Sequence, residues 1–180
     1  MRIIAGTARG RQFDAPEGLN TRPTLDRVKE SVFGTIQFDI YGKYVLDLFS
    51  GSGNMGIEAL SRQAKWVCFN DYSASCAALI KNNLNKLGFD NAEVYNLDYS
   101  LMLDRMKTSD KKFGLVFLDP PYATGFVQPA IEKLCELDLL DDDAIIIAEH
   151  SKQQSITAPE ILRIHSVKNY RDTAVTILKK

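Results

Sequence analysis

The stretch Leu118-Asp119-Pro120-Pro121-Tyr122 puts a carboxylate, two rigid prolines and an aromatic ring directly after the apolar run Phe113 to Leu118. That run is short, β-branched and aromatic, which predicts a buried parallel strand, and Pro120-Pro121 must stop it. Asp119 to Tyr122 then sit at the carboxyl end of the strand, where ligands bind in open α/β sheets. A proline pair alone also reads as a stiff turn. A second site-like pattern lies upstream: Tyr44 to Phe49 reads as a buried first strand, followed by Gly51-Ser52-Gly53-Asn54-Met55-Gly56 and a short helix carrying Ile57 and Leu60. The glycines match GxGxxG, which permits tight turning and close backbone approach to a nucleotide cofactor. The next strand, Trp66 to Phe69, leads to Asp71, twenty residues after Gly51. An acid at that spacing can accept both ribose hydroxyls.

Charge separates the two cofactors that carry such a ribose, NAD and S-adenosylmethionine. Asp47, four residues ahead of the first glycine, would repel a pyrophosphate and attract the ammonium of a methionine moiety. Asp119 faces the same crevice, so sulfonium chemistry fits better than hydride chemistry. The acceptor suited to this equipment is an exocyclic amino nitrogen, whose lone pair is delocalised into its ring. The Asp119 carboxylate and the Pro120 carbonyl can accept its two N–H groups and hold it in line with a methyl donor, while Tyr122 stacks on the base. The base must leave its stack, which costs a few kcal/mol and is least costly in a loop or single strand. No metal and no covalent nucleophile is required.

The elements that must hold these residues alternate along the chain. Leu25, Val28, Val32 and Ile36 predict a helix from Thr21 with Pro23 in its first turn and Asp26 complementing its dipole. Arg22 and Thr24 would stand at its start, as ligand contacts or as simple capping residues. A helix with Cys76, Ile80, Leu84 and Leu87 on one face runs through Gly88 into a strand, Glu93 to Leu97, ending at Asp98. Asp98 can accept an adenine amino group, cap the helix Tyr99 to Met106, or do both. Val127, Ile131 and Leu134 predict a helix before the strand Ala144 to Ala148, and Asp138, Asp141, Asp142 and Asp143 read as a solvated loop. Two apolar runs, Ile161 to Val167 and Thr173 to Leu178, read as a closing hairpin. The sum is an α/β, Rossmann-like fold: a seven-stranded, mostly parallel sheet with helices on both faces.

Composition is that of one globular domain: 180 residues, 45% apolar and 25% charged, with a net charge of −1. The start lacks the apolar segment of a signal peptide, no stretch is apolar enough to span a bilayer, and a cytoplasmic protein is expected. Cys68, Cys76 and Cys135 have no paired spacing and read as small core residues, and His150 and His165 lack neighbours at ligand spacing, so no metal is expected. Residues 1–12 hold Arg2, Arg9 and Arg11 and no acid, and the pattern around Gly6 and Gly10 predicts a basic β-hairpin arm within an extension, residues 1–20, before a domain of residues 21–180. Such an arm can follow phosphates or merely solvate an edge.

Taken together, Asp47 to Gly53, Gly56 to Arg62, Asp119 to Tyr122 and the segment Arg22-Pro23-Thr24-Leu25-Asp26-Arg27-Val28-Lys29-Glu30 resemble the RsmD family of ribosomal RNA guanine-N2 methyltransferases over nearly the whole chain. The glycine loop and Asp-Pro-Pro-Tyr are shared by many amino-methyltransferases, whereas the Arg-Pro-Thr segment and the basic start are particular to this family. The resemblance implies methyl transfer from S-adenosylmethionine to the exocyclic N2 of a specific guanine in 16S rRNA, within a small ribosomal subunit or an assembly intermediate, by a monomer without metal or membrane. It implies that Asp47, Gly51, Gly53, Asp71 and Asp98 carry the cofactor, with Phe49, Ser52, Tyr72 and Tyr99 beside them. Asp119, Pro120, Pro121 and Tyr122 would be catalytic, and Arg2, Arg9, Arg11 and Arg22 would meet RNA. The chain departs from the pattern at Asp71, where glutamate is common, at Asn54 and Met55, which replace smaller residues, and at Arg171, which stands where a glycine is common in the closing hairpin. Other readings are a DNA adenine-N6 methyltransferase, which would need an added recognition region, a protein glutamine methyltransferase, or a catalytically inactive RNA-binding domain.

Overall fold

The computed structural model describes residues 1–16, 23–109, 111–121 and 124–180. Its elements are α1 (Pro23–Thr35), β1 (Tyr44–Asp47), α2 (Asn54–Ser61), β2 (Trp66–Asn70), α3 (Ala74–Leu87), β3 (Ala92–Tyr95), α4 (Tyr99–Lys107), β4 (Phe113–Leu118), α5 (Val127–Glu136), β5 (Leu140–Ser151), β6 (Arg163–Asn169) and β7 (Thr173–Lys179). The strands form one seven-stranded sheet in the order β3-β2-β1-β4-β5-β7-β6. β1 to β5 pair in parallel, and β7 runs antiparallel between β5 and β6. Order reverses at β1 and β4, so the crevice opens at the carboxyl ends of those strands.

Alternation along the central strands feeds two cores. Val45, Leu115, Phe117, Ile145 and Ile147 pack with Val32 and Phe33 of α1, Ile57 of α2 and Ile80 of α3. Leu46, Val116, Leu118, Ile146 and Ala148 face the other way, onto Met102 of α4 and Ile131 of α5. Burial on both faces is why these strands read as unbroken apolar runs. Local signals end the helices where expected: Ser73 Oγ accepts from Cys76 N, Asp98 caps α4 through Ser100 N at 2.8 Å, and Gly88 closes α3 with φ +73°.

Two expectations need correction. Residues 1–12 pair antiparallel about the Arg2–Gln12 bridge, with Ile3 N donating to Arg11 O at 3.0 Å and Phe13 N to Met1 O at 3.0 Å, but they do not stand out as an arm: the segment folds back on the core with Ile3, Ala8 and Phe13 buried. Side chains of α2 hold it down. Glu58 accepts from Ile4 N at 2.8 Å and Ala5 N at 3.0 Å, and Ser61 Oγ accepts from Ala8 N and donates to Ala5 O. Second, Asp141, Asp142 and Asp143 are not a loop but the exposed start of β5, where the register with β4 shifts between Phe113 and Leu115. Lys43 meets Asp143, and Lys180 meets Asp142. The departure at Arg171 is accommodated without a left-handed backbone, because the turn closes through Tyr170 N to Thr173 O at 2.8 Å and positive φ among described non-glycine residues occurs at Gln63 and Asp138.

Candidate active site

The end of β1 is the fixed point of the site. Asp47 is buried, and its Oδ2 accepts from Gly56 N, the amide of the first turn of α2, at 2.9 Å. Gly56 is required there because a Cβ would lie 2.2 Å from the Phe69 ring, so the third glycine of the pattern sets how closely α2 packs on β2. Gly51 serves differently: it holds φ +53°, and a Cβ there would meet open space on the crevice side. Ser50 locks the loop between them, with Oγ donating to Asp47 O at 2.6 Å and accepting from Asn70 N at 3.1 Å. Burial, weakly offset by the Gly56 N–H and reinforced by Asp71, pushes the Asp47 carboxyl up to about 7.

Asp71, at the end of β2, uses one oxygen on Gly51 N at 2.7 Å and the other on Ser73 N at 2.8 Å. A carboxylate has about four acceptor positions, so two hydroxyl donors can still be received. Asn70 clamps the neighbouring ends: its Nδ2 donates to Leu48 O and Leu97 O, and its Oδ1 accepts from Leu97 N. Asn96 extends the clamp to Asp71 O and Tyr72 O. Phe49, Tyr99 and Phe126 form an aromatic wall, with Tyr99 and Phe126 centroids 4.9 Å apart, whereas Tyr72 is exposed and stands outside it. Asp98 is spoken for in part by its cap on α4.

Asp119 lies one step beyond the end of β4, on the same sheet face as Asp47. A crevice of about 220 Å³ brings them together, lined also by Phe49, Gly51, Ser52 and, from the end of β5, Glu149. Asp119 is open to the crevice, yet protein encloses its other sides. Enclosure first, then repulsion from Glu149 and Asp47, raises its carboxyl above the usual carboxylate range. Pro120 is buried, and the Pro121 carbonyl accepts from Thr124 N and Oγ1, which fixes the turn after the strand. Tyr122 and Arg22 fall outside the described residues, as does the Thr24 side chain.

The basic start divides. Arg2 and Arg9 are exposed, but Arg11 donates to Leu87 O at 2.7 Å and Lys86 O at 2.8 Å, where it caps the carbonyl end of α3. Arg11, exposed like the other two, thus has a structural role of its own. Three site residues escaped the sequence reasoning: Glu149, Met1 and Lys29, all lining the crevice. Lys29 is buried against Glu58 at 3.3 Å and donates to Arg2 O and to Asn54 Oδ1, which accounts for asparagine in the loop. His150 is structural, with its ring nitrogens at Ser151 O and Thr176 Oγ1.

The family model described as "Conserved hypothetical protein 95" matches residues 1–179. Among curated proteins, Ribosomal RNA small subunit methyltransferase D of Haemophilus influenzae is 40% identical over 162 residues, covering 89% of this chain and 83% of that one. The protein of the same name from Escherichia coli is 33% identical over 169 residues, covering 93% and 84%. A solved Escherichia coli structure superposes with TM-score 0.88 at 29% identity, covering 100% of this chain and 97% of that one. A Haemophilus influenzae structure gives 0.83 at 36% identity, covering 99% and 97%. With a family match across nearly its whole length and the Rossmann-like fold of S-adenosylmethionine-dependent methyltransferases, the chain belongs to the RsmD family.

Proposed function

We propose that this protein transfers a methyl group from S-adenosylmethionine to the exocyclic N2 of a guanine in small-subunit ribosomal RNA. The observation that carries the proposal is the shared crevice of Asp47, the glycine loop and Asp119, a cation-attracting pocket beside an acceptor for amino hydrogens. The names of the Haemophilus influenzae and Escherichia coli relatives support ribosomal RNA as substrate. The residues fit the cofactor: open space over Gly51, a ribose-facing carboxylate at Asp71, the Phe49–Tyr99 wall for an adenine, and Asp47 for the ammonium. When bound, S-adenosylmethionine supplies an electrophilic methyl group on a sulfonium. Asp119 and the Pro120 carbonyl receive the two N2 hydrogens, which localises the nitrogen lone pair and aims it at the methyl carbon. A nitrogen that took the methyl group would have to give up a proton, and the Asp119 carboxylate, with its raised pKa, would be a suitable acceptor for it. Tyr122 completes the proposal as the stacking surface.

Tritiated methyl transfer into RNA, DNA and protein from cells lacking this protein, followed by nucleoside and amino-acid analysis, tests the assignment. Label in small-subunit RNA as N2-methylguanosine is expected. Label in N6-methyladenine or a modified glutamine would overturn it. The exposed Arg2 and Arg9 are proposed to hold RNA phosphates. With both reversed to glutamate, binding to small-subunit particles should weaken and its salt dependence flatten by about one to two phosphate contacts, while melting temperature holds. An equal salt slope in parent and variant would move the RNA contact elsewhere.

A further inference from the structure

The crevice is lined by the acids Asp47, Asp119 and Glu149, and the lysine that lines it, Lys29, is paired with Glu58. Such a crevice repels the phosphates of a nucleic-acid strand whose base enters it, so the strand must be held by cations standing off from its mouth. The turn between β6 and β7 offers such a group. β7 runs antiparallel to β5, with Val175 level with Glu149 and Thr173 level with Ser151. Glu149 and Val175 both line the crevice, so the turn, residues 170–172, rises past the same end of the sheet on the β5 side of the crevice. The glycine loop bounds the crevice on the β1 side, and β1 lies three strand steps from β7, about 14 Å.

The backbone of the turn is fixed, whereas its charge is not neutralised. Tyr170 N donates to Thr173 O at 2.8 Å, and Lys152 Nζ, from just past the end of β5, donates to Arg171 O at 3.0 Å. Lys168 Nζ donates to Ser31 O, Ser31 Oγ and Thr35 Oγ1 of α1. These partners are neutral oxygens, so the contacts leave both lysines their charge. The Arg171 side chain is 93% exposed and pairs with Asp172, itself 85% exposed, at 4.0 Å. An ion pair so open to water contributes little and yields readily to a stronger anion. Resting on the ribosomal RNA reading above, we propose that this turn is a phosphate anchor for the substrate RNA, with Arg171 and Lys152 gripping the backbone beside the target nucleotide and Lys168 reinforcing their field. The arginine fork can meet two phosphate oxygens at once. Arg2 lies on the other flank, where its carbonyl shares Lys29 with Asn54 at the start of α2. Anchors on both flanks set the register of the RNA and leave the crevice to the base and the cofactor.

The test uses Arg171→Ala, Arg171→Lys and Lys152→Gln, the last of which keeps a donor for the Arg171 carbonyl and removes the charge. Binding to small-subunit particles from cells lacking this protein is measured at several salt concentrations. At about 0.15 M salt, Arg171→Ala and Lys152→Gln should each bind about three- to tenfold more weakly than the parent, with a salt slope smaller by about one. Lysine at position 171 should restore most of the slope, because it keeps the charge and loses only the fork. In steady state the KM for particles should rise with the loss of affinity while kcat stays within about twofold of the parent. S-adenosylmethionine affinity and melting temperature should hold. A parental salt slope in either charge-removing variant overturns the inference, as does weaker binding at an unchanged slope, or a fall in kcat with KM unchanged. If the parent transfers no methyl group to the particles, the proposed function falls and this inference with it. A parent that does so, with a salt slope indifferent to Arg171 and Lys152, removes only the latter.

Discussion

Asp119→Ala is expected to lose methyl transfer on the order of 10²- to 10³-fold while changing S-adenosylmethionine affinity by less than about threefold. The separation follows from position. Asp119 stands past the end of β4, open to the crevice, whereas the contacts that shape the glycine loop come from Asp47, Ser50 and Asp71. Alanine leaves the turn held by Pro120 and Pro121 in place and deletes the acceptor for one amino hydrogen together with the nearest base. Asp119→Asn keeps one acceptor oxygen and should fall between parent and alanine. Because the parent's carboxyl is raised in the free protein, the rate should also decline as pH falls and the acid protonates, a decline that the asparagine variant lacks. Single-turnover methylation of RNA and calorimetry of the cofactor separate the two quantities. A parental rate in Asp119→Ala, or an equal loss of rate and affinity, would remove Asp119 from the chemistry.

The sheet was legible because its central strands are buried on both faces: Val45, Val67, Leu115 and Ile146 sit in apolar runs that no amphipathic helix would show. The same runs exposed their own carboxyl ends, which is why Asp47, Asp71, Asp98 and Asp119 could be placed without coordinates. Glu149 carries the same signal, an acid closing the run Ile145 to Ala148, and the rule that found Asp119 would have found it too. The N-terminal segment was read as an arm rather than as part of the core for a different reason. Its fold is set by partners more than fifty residues away, Glu58 and Ser61, and by the α3 carbonyls that take Arg11. Local alternation around Gly6 and Gly10 contains none of that. Lys29 and Glu58 escaped likewise, since each is an ordinary surface residue of a helix until α1 and the N-terminal segment cover it. Asp141 to Asp143 read as loop because a register shift within β5 lets three acids in a row stay exposed on a strand.

Asp47→Asn should stabilise the free protein and abolish tight cofactor binding, and pH shows both effects. The Asp47 carboxyl rises from an ordinary 3.8 to about 7 on folding, chiefly through burial. A carboxyl raised in the folded state contributes stability that is fully present below pH 3.8 and is lost as pH climbs through about 7. Across that window the loss approaches an upper bound of about 4 kcal/mol, at about 1.4 kcal/mol per pH unit. Asparagine still accepts from Gly56 N and carries no charge, so the variant should melt higher than the parent at pH 8 and converge with it near pH 4. Binding runs the other way. The parent must release the Asp47 proton to pair with an ammonium, so its affinity for S-adenosylmethionine should drop by up to about tenfold per pH unit below 7. Calorimetry in buffers of different ionisation enthalpy should register the proton release. Asp47→Asn should bind weakly with little pH dependence. Asp71→Ala is the control for a ribose contact, weakening binding by at least about tenfold while keeping the parent's pH profile. A parent whose affinity is flat from about pH 5.5 to 8.5 would mean that Asp47 stays neutral in the complex. The acid would then serve only to hold the first turn of α2, and the ammonium would need another partner.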